Sequence, residues 1–199
     1  MPNAIKSKLN KSRPHKSRPK NVIVVSGPPG SGSTSVAREL AKRLHFRYFV
    51  PGKLHKQFSK SKEESKAALE AWHMKKGMSK KTHEERDKLQ IKEAKKGNIV
   101  ICGKLSIHFL KDMSDYKIWL AVPLKVRAER TAERDGISVE QAMREIRERQ
   151  EIERKEWKRI YGFDYFYQKK AADMVLESSN LTLEQTVDKI LKFIKSGKN

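Results

Sequence analysis

With 199 residues, 37% of them hydrophobic, the chain holds material for about one domain with a small inserted or lid element. One cysteine, Cys102, excludes an internal disulfide framework and fits a reducing compartment. No apolar run nears the ~20 residues a bilayer crossing needs, so a cytoplasmic protein off the membrane is expected, and the net charge of +21 makes polyanions its natural partners: nucleotides, RNA or an acidic surface.

Residues 1–20 carry Lys6, Lys8, Lys11, Arg13, Lys16, Arg18 and Lys20 with no acid, and they lack the apolar core of a signal peptide. A short echo, Lys11-Ser-Arg-Pro14 and Lys16-Ser-Arg-Pro19, has no apolar face and predicts a disordered basic tail. Such a tail is either an arm that lies along RNA or ribosome phosphates, or an inert solvated segment. The remaining 38 basic against 24 acidic residues fit a polyanion-binding body or an ordinary charged surface.

Val22-Ile-Val-Val25 reads as a buried parallel strand, and Val36 to Leu44 places apolar residues at helical spacing. Between them runs Gly27-Pro-Pro-Gly-Ser-Gly-Ser-Thr-Ser35, which fits G-x-x-x-x-G-K-[ST] except that Ser33 stands where the lysine belongs. Gly27, Gly30 and Gly32 let the backbone turn tightly and aim N–H groups at phosphate oxygens, helped by the positive end of the following helix. Ser31, Ser33 and Ser35 complete the candidate phosphate-binding set, and Thr34 keeps the hydroxyl that would meet magnesium. The alternative is a tight βα turn with no ligand.

Phe46 to Val50 is a short strand closed by Pro51-Gly52. Two helices follow, Ser61 to Lys76 and Thr82 to Lys96, each opened by a capping-box pattern and followed by Gly77 or Gly97. Thin apolar stripes, Leu69 with Trp72 and Leu89 with Ile91, predict a helical insertion at about 53–97 over the binding edge of the sheet. Asn98 to Cys102 is the next strand, ending in Gly103-Lys104-Leu105, and Tyr116 to Val122 is another, stopped by Pro123. A helix from Leu124 to Arg134 carries Arg127, Arg130 and Arg134, and Asp135-Gly136 breaks it. Ser138-Val-Glu-Gln141 caps a long charged helix to about Arg159, Met174 to Leu176 is a last strand, and Thr182-Leu-Glu-Gln185 caps an amphipathic helix.

Strands alternating with helices predict an α/β fold with a parallel sheet of about five strands, whose ligands collect at the carboxyl ends of the strands. The arginines are interleaved with Glu129, Glu133, Glu145, Glu148, Glu151 and Glu153, so they fit ordinary helix ion pairs as well as a catalytic set. The six histidines show no paired metal-ligand spacing. The aromatic run Tyr161-Gly-Phe-Asp-Tyr-Phe-Tyr167 fits a hinge packed on the core, or a surface that stacks bases.

Taken in order, Gly27 to Ser35, Gly103-Lys-Leu-Ser106, Lys117-Ile-Trp-Leu-Ala-Val-Pro123, Arg127-Ala-Glu-Arg130 and Glu153 to Gly162 resemble the nucleoside monophosphate kinases, most of all the archaeal type of cytidylate kinase. The resemblance spans about residues 21–195. It implies a P-loop NTPase fold with a helical acceptor-binding insertion and an Arg-rich lid at about 127–165, in one domain from 21 to 199. It also implies ATP and Mg²⁺ as cofactors, and transfer of the γ-phosphoryl group to CMP or dCMP. Arg130 and Arg134 would be lid arginines, with Arg149 and Arg154 reaching in from the long helix. Lys56, Lys88 and Lys104 occupy places where the family tends to grip the acceptor with arginine. The pattern departs at Ser33, where archaeal cytidylate kinases often carry Thr, and at Cys102, where an acidic residue usually orders the magnesium shell. Leu89 stands for another arginine, and Glu156 for a basic residue. A second outcome of these residues is a catalytically weak kinase-like fold that serves as a basic RNA- or ribosome-associated binding protein.

Overall fold

Strand β1 (Val22–Ser26) is buried along its whole length, as its run of β-branched residues requires when both faces of a sheet are covered. The computed structural model describes residues 21–53, 63–74 and 79–197. The basic tail, Lys56, and the Ser61 and Gly77 helix signals lie outside these residues.

Beside β1 run β2 (Arg47–Phe49), β3 (Ile99–Cys102), β4 (Tyr116–Ala121) and β5 (Met174–Glu177), in the order β2-β3-β1-β4-β5 with every pair parallel. The chain leaves β1 for one side of the sheet, returns through β3, and then crosses to β4 on the other side. The carboxyl end of β1 is therefore where the winding reverses and a ligand crevice opens. Register aligns that end closely: Val25 lies opposite Cys102 in β3 and Ile118 in β4.

Alternate residues of the strands feed two cores. Ile23 and Val25 pack with Val36 and Leu40 of α1 (Ser33–Leu44) and with Val187 and Ile190 of α7 (Leu183–Ser196). Val22 and Val24 pack on the opposite face with Trp119, Trp72, Trp157 and Tyr165. That second layer is built from α2 (Glu64–His73), α3 (Lys80–Ala94), α4 (Ser106–Phe109), the long α6 (Val139–Tyr161) and a 3₁₀ helix (Tyr165–Ala171). Helix α5 (Leu124–Asp135) forms a third, small cluster against α6 through Ala128, Ala132, Ala142 and Ile146.

The expected strands and longer helices are present with ends displaced by a few residues. Ser138 caps α6 by accepting from the Gln141 N–H at 3.1 Å, and Thr182 with Gln185 forms the full reciprocal box on α7. Thr82 does not cap. Helix α3 starts earlier, with Ser79 as its N-cap and no side-chain capping bond, so the Thr82 pattern sits inside the first turn. The buried residues of α3 are His83, Gln90 and Ala94 rather than Leu89, with Ile91 partly buried, because this helix turns its C-terminal end to the core and its middle to a polar cavity. Among the described residues no helix is long and apolar enough to cross a membrane.

Candidate active site

The segment from Gly27 to Ser35 wraps the carboxyl end of β1 and delivers the chain into α1. A Cβ on Gly27 would lie 2.6 Å from Ser31 Oγ and 2.9 Å from the Leu120 carbonyl, so no larger residue fits there. Gly30 and Gly32 take φ of +79° and +82°, the left-handed region that glycine enters without strain. Gly32 caps α1 with no side-chain bond, which leaves the helix's first N–H groups open to an external acceptor. The Ser31 hydroxyl is buried in the same loop with no hydrogen-bond partner.

Buried Arg127 holds the loop in place. Its guanidinium donates to the carbonyls of Val122 at 3.0 Å and Pro29 at 2.8 Å, and to Gln150 Oε1 at 3.3 Å. One side chain thereby ties the loop to the end of β4 and to α6.

The loop opens onto a cavity of about 700 Å³. Beside the loop, Arg130 of α5 donates to the carbonyls of Ser178 at 2.5 Å and Ser179 at 3.2 Å, next to Leu181 and Thr186. Arg134, one turn on, is paired with Asp135 at 2.7 Å and with Glu64 at 3.4 Å. Burial alone would push the Asp135 carboxyl up, but hydrogen bonds from Arg134 and Ser65 hold it well below the usual carboxylate range.

The far side of the cavity lies beneath the helical insertion. Trp72 and Trp157 meet edge to face at 5.4 Å, and His83 stacks on Trp72 at 5.2 Å. Arg86 bonds to His83 Nδ1, and burial lowers its pKa. Asp87 accepts from the Tyr161 hydroxyl and from Gln90 Nε2 at 3.0 Å, while Ser106 donates to Gln90 Oε1 at 2.7 Å. Burial pushes the Asp87 carboxyl up to about 6, against the opposing pull of Tyr161 and Arg86. From α6, Arg149 donates to Glu153 at 2.8 Å, and buried Tyr165 donates to the same carboxylate at 3.4 Å. Lys104 sits between the two sides: its Nζ donates to the Gly27 carbonyl at 3.2 Å, and burial pulls its pKa down to about 7, with Glu153 opposing and Arg149 assisting.

Arg130, Arg134, Arg149, Lys104 and the whole Gly27–Ser35 loop are thus brought to one cavity. Lys88 is not: it projects from the exposed side of α3. Arg154 is not either; it pairs with Asp164 at 2.9 Å and lies over the Phe166 ring. Glu156 is buried and paired with Arg159. Sequence reasoning missed Trp72, Arg86, Asp87, Gln90 and Trp157. A signal was present, because His83, Arg86, Asp87 and Gln90 recur at i, i+3, i+4 and i+7 and mark one helix face. Lys88 and Leu89 fall off that stripe.

Among the described residues no group of three or more His, Cys, Asp or Glu could hold a metal ion. Thr34 Oγ1 lies 3.9 Å from Cys102 Sγ at the end of β3, so the loop offers one hard oxygen and the neighbouring strand one soft sulfur. The Thr34 oxygen, and not the thiol, fits a magnesium ion that arrives with nucleotide phosphates and keeps its waters, since Mg²⁺ needs only one or two protein ligands. The orphan Ser31 hydroxyl and the open helix start fit the phosphates themselves. Of the run at 161–167, Tyr165 is fully buried against Trp157 and Phe163 stacks on His108, a packing role, while Tyr161 reaches the cavity through Asp87.

Residues 22–180 match the cytidylate kinase-like family. A cytidylate kinase of Pyrococcus horikoshii is 40% identical over 145 residues, 73% of each chain. One from Staphylothermus marinus is 34% identical over 174 residues, covering 87% of this chain and 96% of its own. Among solved structures, a shikimate kinase from Acinetobacter baumannii in complex with shikimate superposes with a TM-score of 0.56 at 19% identity, over 90% of this chain and 94% of that one. An uncharacterised Eubacterium ventriosum protein gives 0.60 at 16% identity, over 88% and 99%. These two likenesses speak for the fold alone.

Proposed function

This chain belongs to the cytidylate kinase-like family, and from that premise we propose that it transfers the γ-phosphoryl group of ATP to CMP or dCMP, giving ADP and CDP or dCDP. It is a nucleoside monophosphate kinase; the pyrimidine acceptor is the finer step. The observation that carries the proposal is the single cavity of about 700 Å³ that runs from the glycine loop to the charged floor under α2 and α3. Donor and acceptor phosphates would share that one cavity, and alignment of the two is most of what this reaction asks of a protein.

The loop N–H groups and Ser31 would hold the donor phosphates, with Thr34 as the protein ligand to Mg²⁺. Bound with ATP, the ion supplies charge neutralisation across the β- and γ-phosphates. Arg134 and Arg149 would turn from their present carboxylate partners onto the transferring group, where each donor is worth on the order of 10²–10³ in rate. Arg130 would close the donor side over the nucleotide.

On the acceptor side, Trp72 and Trp157 offer flat apolar walls to a ring, and Arg86 with Asp87 offers a donor beside an acceptor. Cytosine presents the complement on its pairing edge, an exocyclic amine beside an unprotonated ring nitrogen. A role as a catalytically weak RNA-binding fold accounts for none of this convergence and is not favoured.

The test is ADP formation with CMP, dCMP, UMP and AMP at saturating Mg·ATP. CMP and dCMP are expected to turn over fastest. No turnover with any acceptor overturns the kinase reading, and faster turnover of AMP or UMP overturns the pyrimidine assignment.

A further inference from the structure

The phosphate loop carries a conspicuous gap in charge. Ser33 stands where G-x-x-x-x-G-K-[ST] places an ammonium, and α1 has no other cation in its first turn. A lysine there would be a point charge against the β- and γ-phosphates. Within the loop itself only backbone N–H groups and hydroxyls otherwise meet the donor's phosphates, the arginines of α5 and α6 being held by carbonyl and carboxylate partners.

We infer that Lys104, from the turn after β3, supplies the ammonium that the loop lacks at Ser33 and grips the donor phosphates. This rests on the kinase reading and reassigns Lys104 from the acceptor grip to the donor. The Lys104 Nζ donates to the carbonyl of Gly27, the first glycine of the loop, at 3.2 Å. An ammonium has three N–H donors, and Gly27 uses one. Its reach is set by backbone anchors rather than by chance: the Lys104 carbonyl accepts from Ser26 Oγ at 3.2 Å and from buried Gln168 Nε2 at 2.6 Å. Parallel pairing of β1 with β3 sets Val25 opposite Cys102, so the residue two beyond Cys102 must emerge beside the start of the loop. The nearby carboxylate of Glu153 is already engaged by Arg149 and Tyr165. The acceptor side has cations of its own in Arg86 and Arg149. Half-buried and facing the cavity, the Lys104 ammonium gains from a polyanion laid on the loop.

The experiment is direct titration of the full chain with Mg·ATP and, separately, with CMP, for wild type, Lys104→Met, Ser33→Lys and the double variant. Lys104→Met is expected to weaken Mg·ATP by ~10–100-fold, the worth of one charged hydrogen bond, with CMP affinity changed less than about twofold. Adding Ser33→Lys to Lys104→Met should recover most of the lost ATP affinity. A melting curve reports on folding; should Lys104→Met not fold, Lys104→Gln keeps a donor for Gly27 without the charge and takes its place. Weakened CMP with unchanged ATP assigns Lys104 to the acceptor and overturns the inference, as does unchanged affinity for both. Failure of Ser33→Lys to recover ATP binding overturns it too. Wild-type turnover separates the two readings: an inert wild type that still loses ATP affinity with Lys104→Met sinks the kinase reading and leaves this one standing.

Discussion

On the donor side of the cavity one unbroken segment, Gly27 to Ser35, presents backbone; on the acceptor side α2, α3 and α6 present side chains. Trp157 and His83, hydrogen-bonded at 3.4 Å, are 74 residues apart in the chain. The first side depends on φ values and on one clamp, Arg127, that holds carbonyls. The second depends on Arg86, Asp87, Gln90 and Tyr161 satisfying one another in a half-buried polar chain. Backbone sites tolerate changes of side chain but not of conformation, whereas side-chain sites respond to every truncation.

Arg149, which bridges the sides, gives the largest expected effect. Arg149→Met should lower kcat by ~10²–10³, about 3–4 kcal/mol, with smaller changes in the binding of either substrate. Steady-state kinetics check this, and a loss confined to the acceptor KM would move Arg149 wholly to the acceptor side. Arg127→Met comes next. It strips donors from the buried carbonyls of Val122 and Pro29, and denaturant unfolding should show a loss of about 3 kcal/mol, or a fall in Tm of roughly 6–12 °C. An unchanged Tm would mean that the loop holds its own shape without the clamp.

Asp87 tests the acceptor side by pH. Its folded pKa of about 6 lies above the ordinary 3.8, so the folded state holds its proton more tightly than the unfolded one. The resulting stability is fully present below about pH 4 and is lost as pH rises through 6. Relative to Asp87→Asn, the wild type should lose about 1–2 kcal/mol between pH 4 and 7, after allowing for solvent screening at a partly exposed group. Parallel stability curves for the two proteins would contradict this. The smallest effect is expected at Lys88: Lys88→Ala should change the acceptor KM less than about twofold and stability by under ~0.5 kcal/mol. A tenfold rise in KM would show that α3 turns its other face to the substrate.

The fold was legible because its signals are local. Each strand is a short apolar run bounded by Gly, Pro or polar residues, and Ser138 and Thr182 cap helices by bonding three residues on. Thr82 misled because Ser79 starts α3 before it, a competition between neighbouring starts that no capping bond settles. Helix α4 and the 3₁₀ helix were not foreseen; both are short and held by tertiary packing, α4 against β1 and the 3₁₀ helix against α4 and α6, with Tyr165 fully buried. In the site, Arg130, Arg134 and Arg149 line the cavity, residues that the family resemblance singles out and that helical spacing alone leaves as ordinary ion pairs. Arg154 shares α6 with Arg149 but turns to Asp164 instead.

The sequence by itself determined the succession of strands and helices along the chain, the glycine loop with Ser33 at its cationic position, and the family to which the chain belongs, since each is carried by residues adjacent in the chain. Tertiary structure alone decided that α3 offers Arg86 and Asp87 to the cavity rather than Lys88, and that the Lys104 ammonium comes to rest on Gly27. The physical reason is the range of the forces. Backbone conformation and capping act over a few residues, whereas the direction a charged side chain takes depends on which distant carbonyl, ring or carboxylate can satisfy it once the helices have packed.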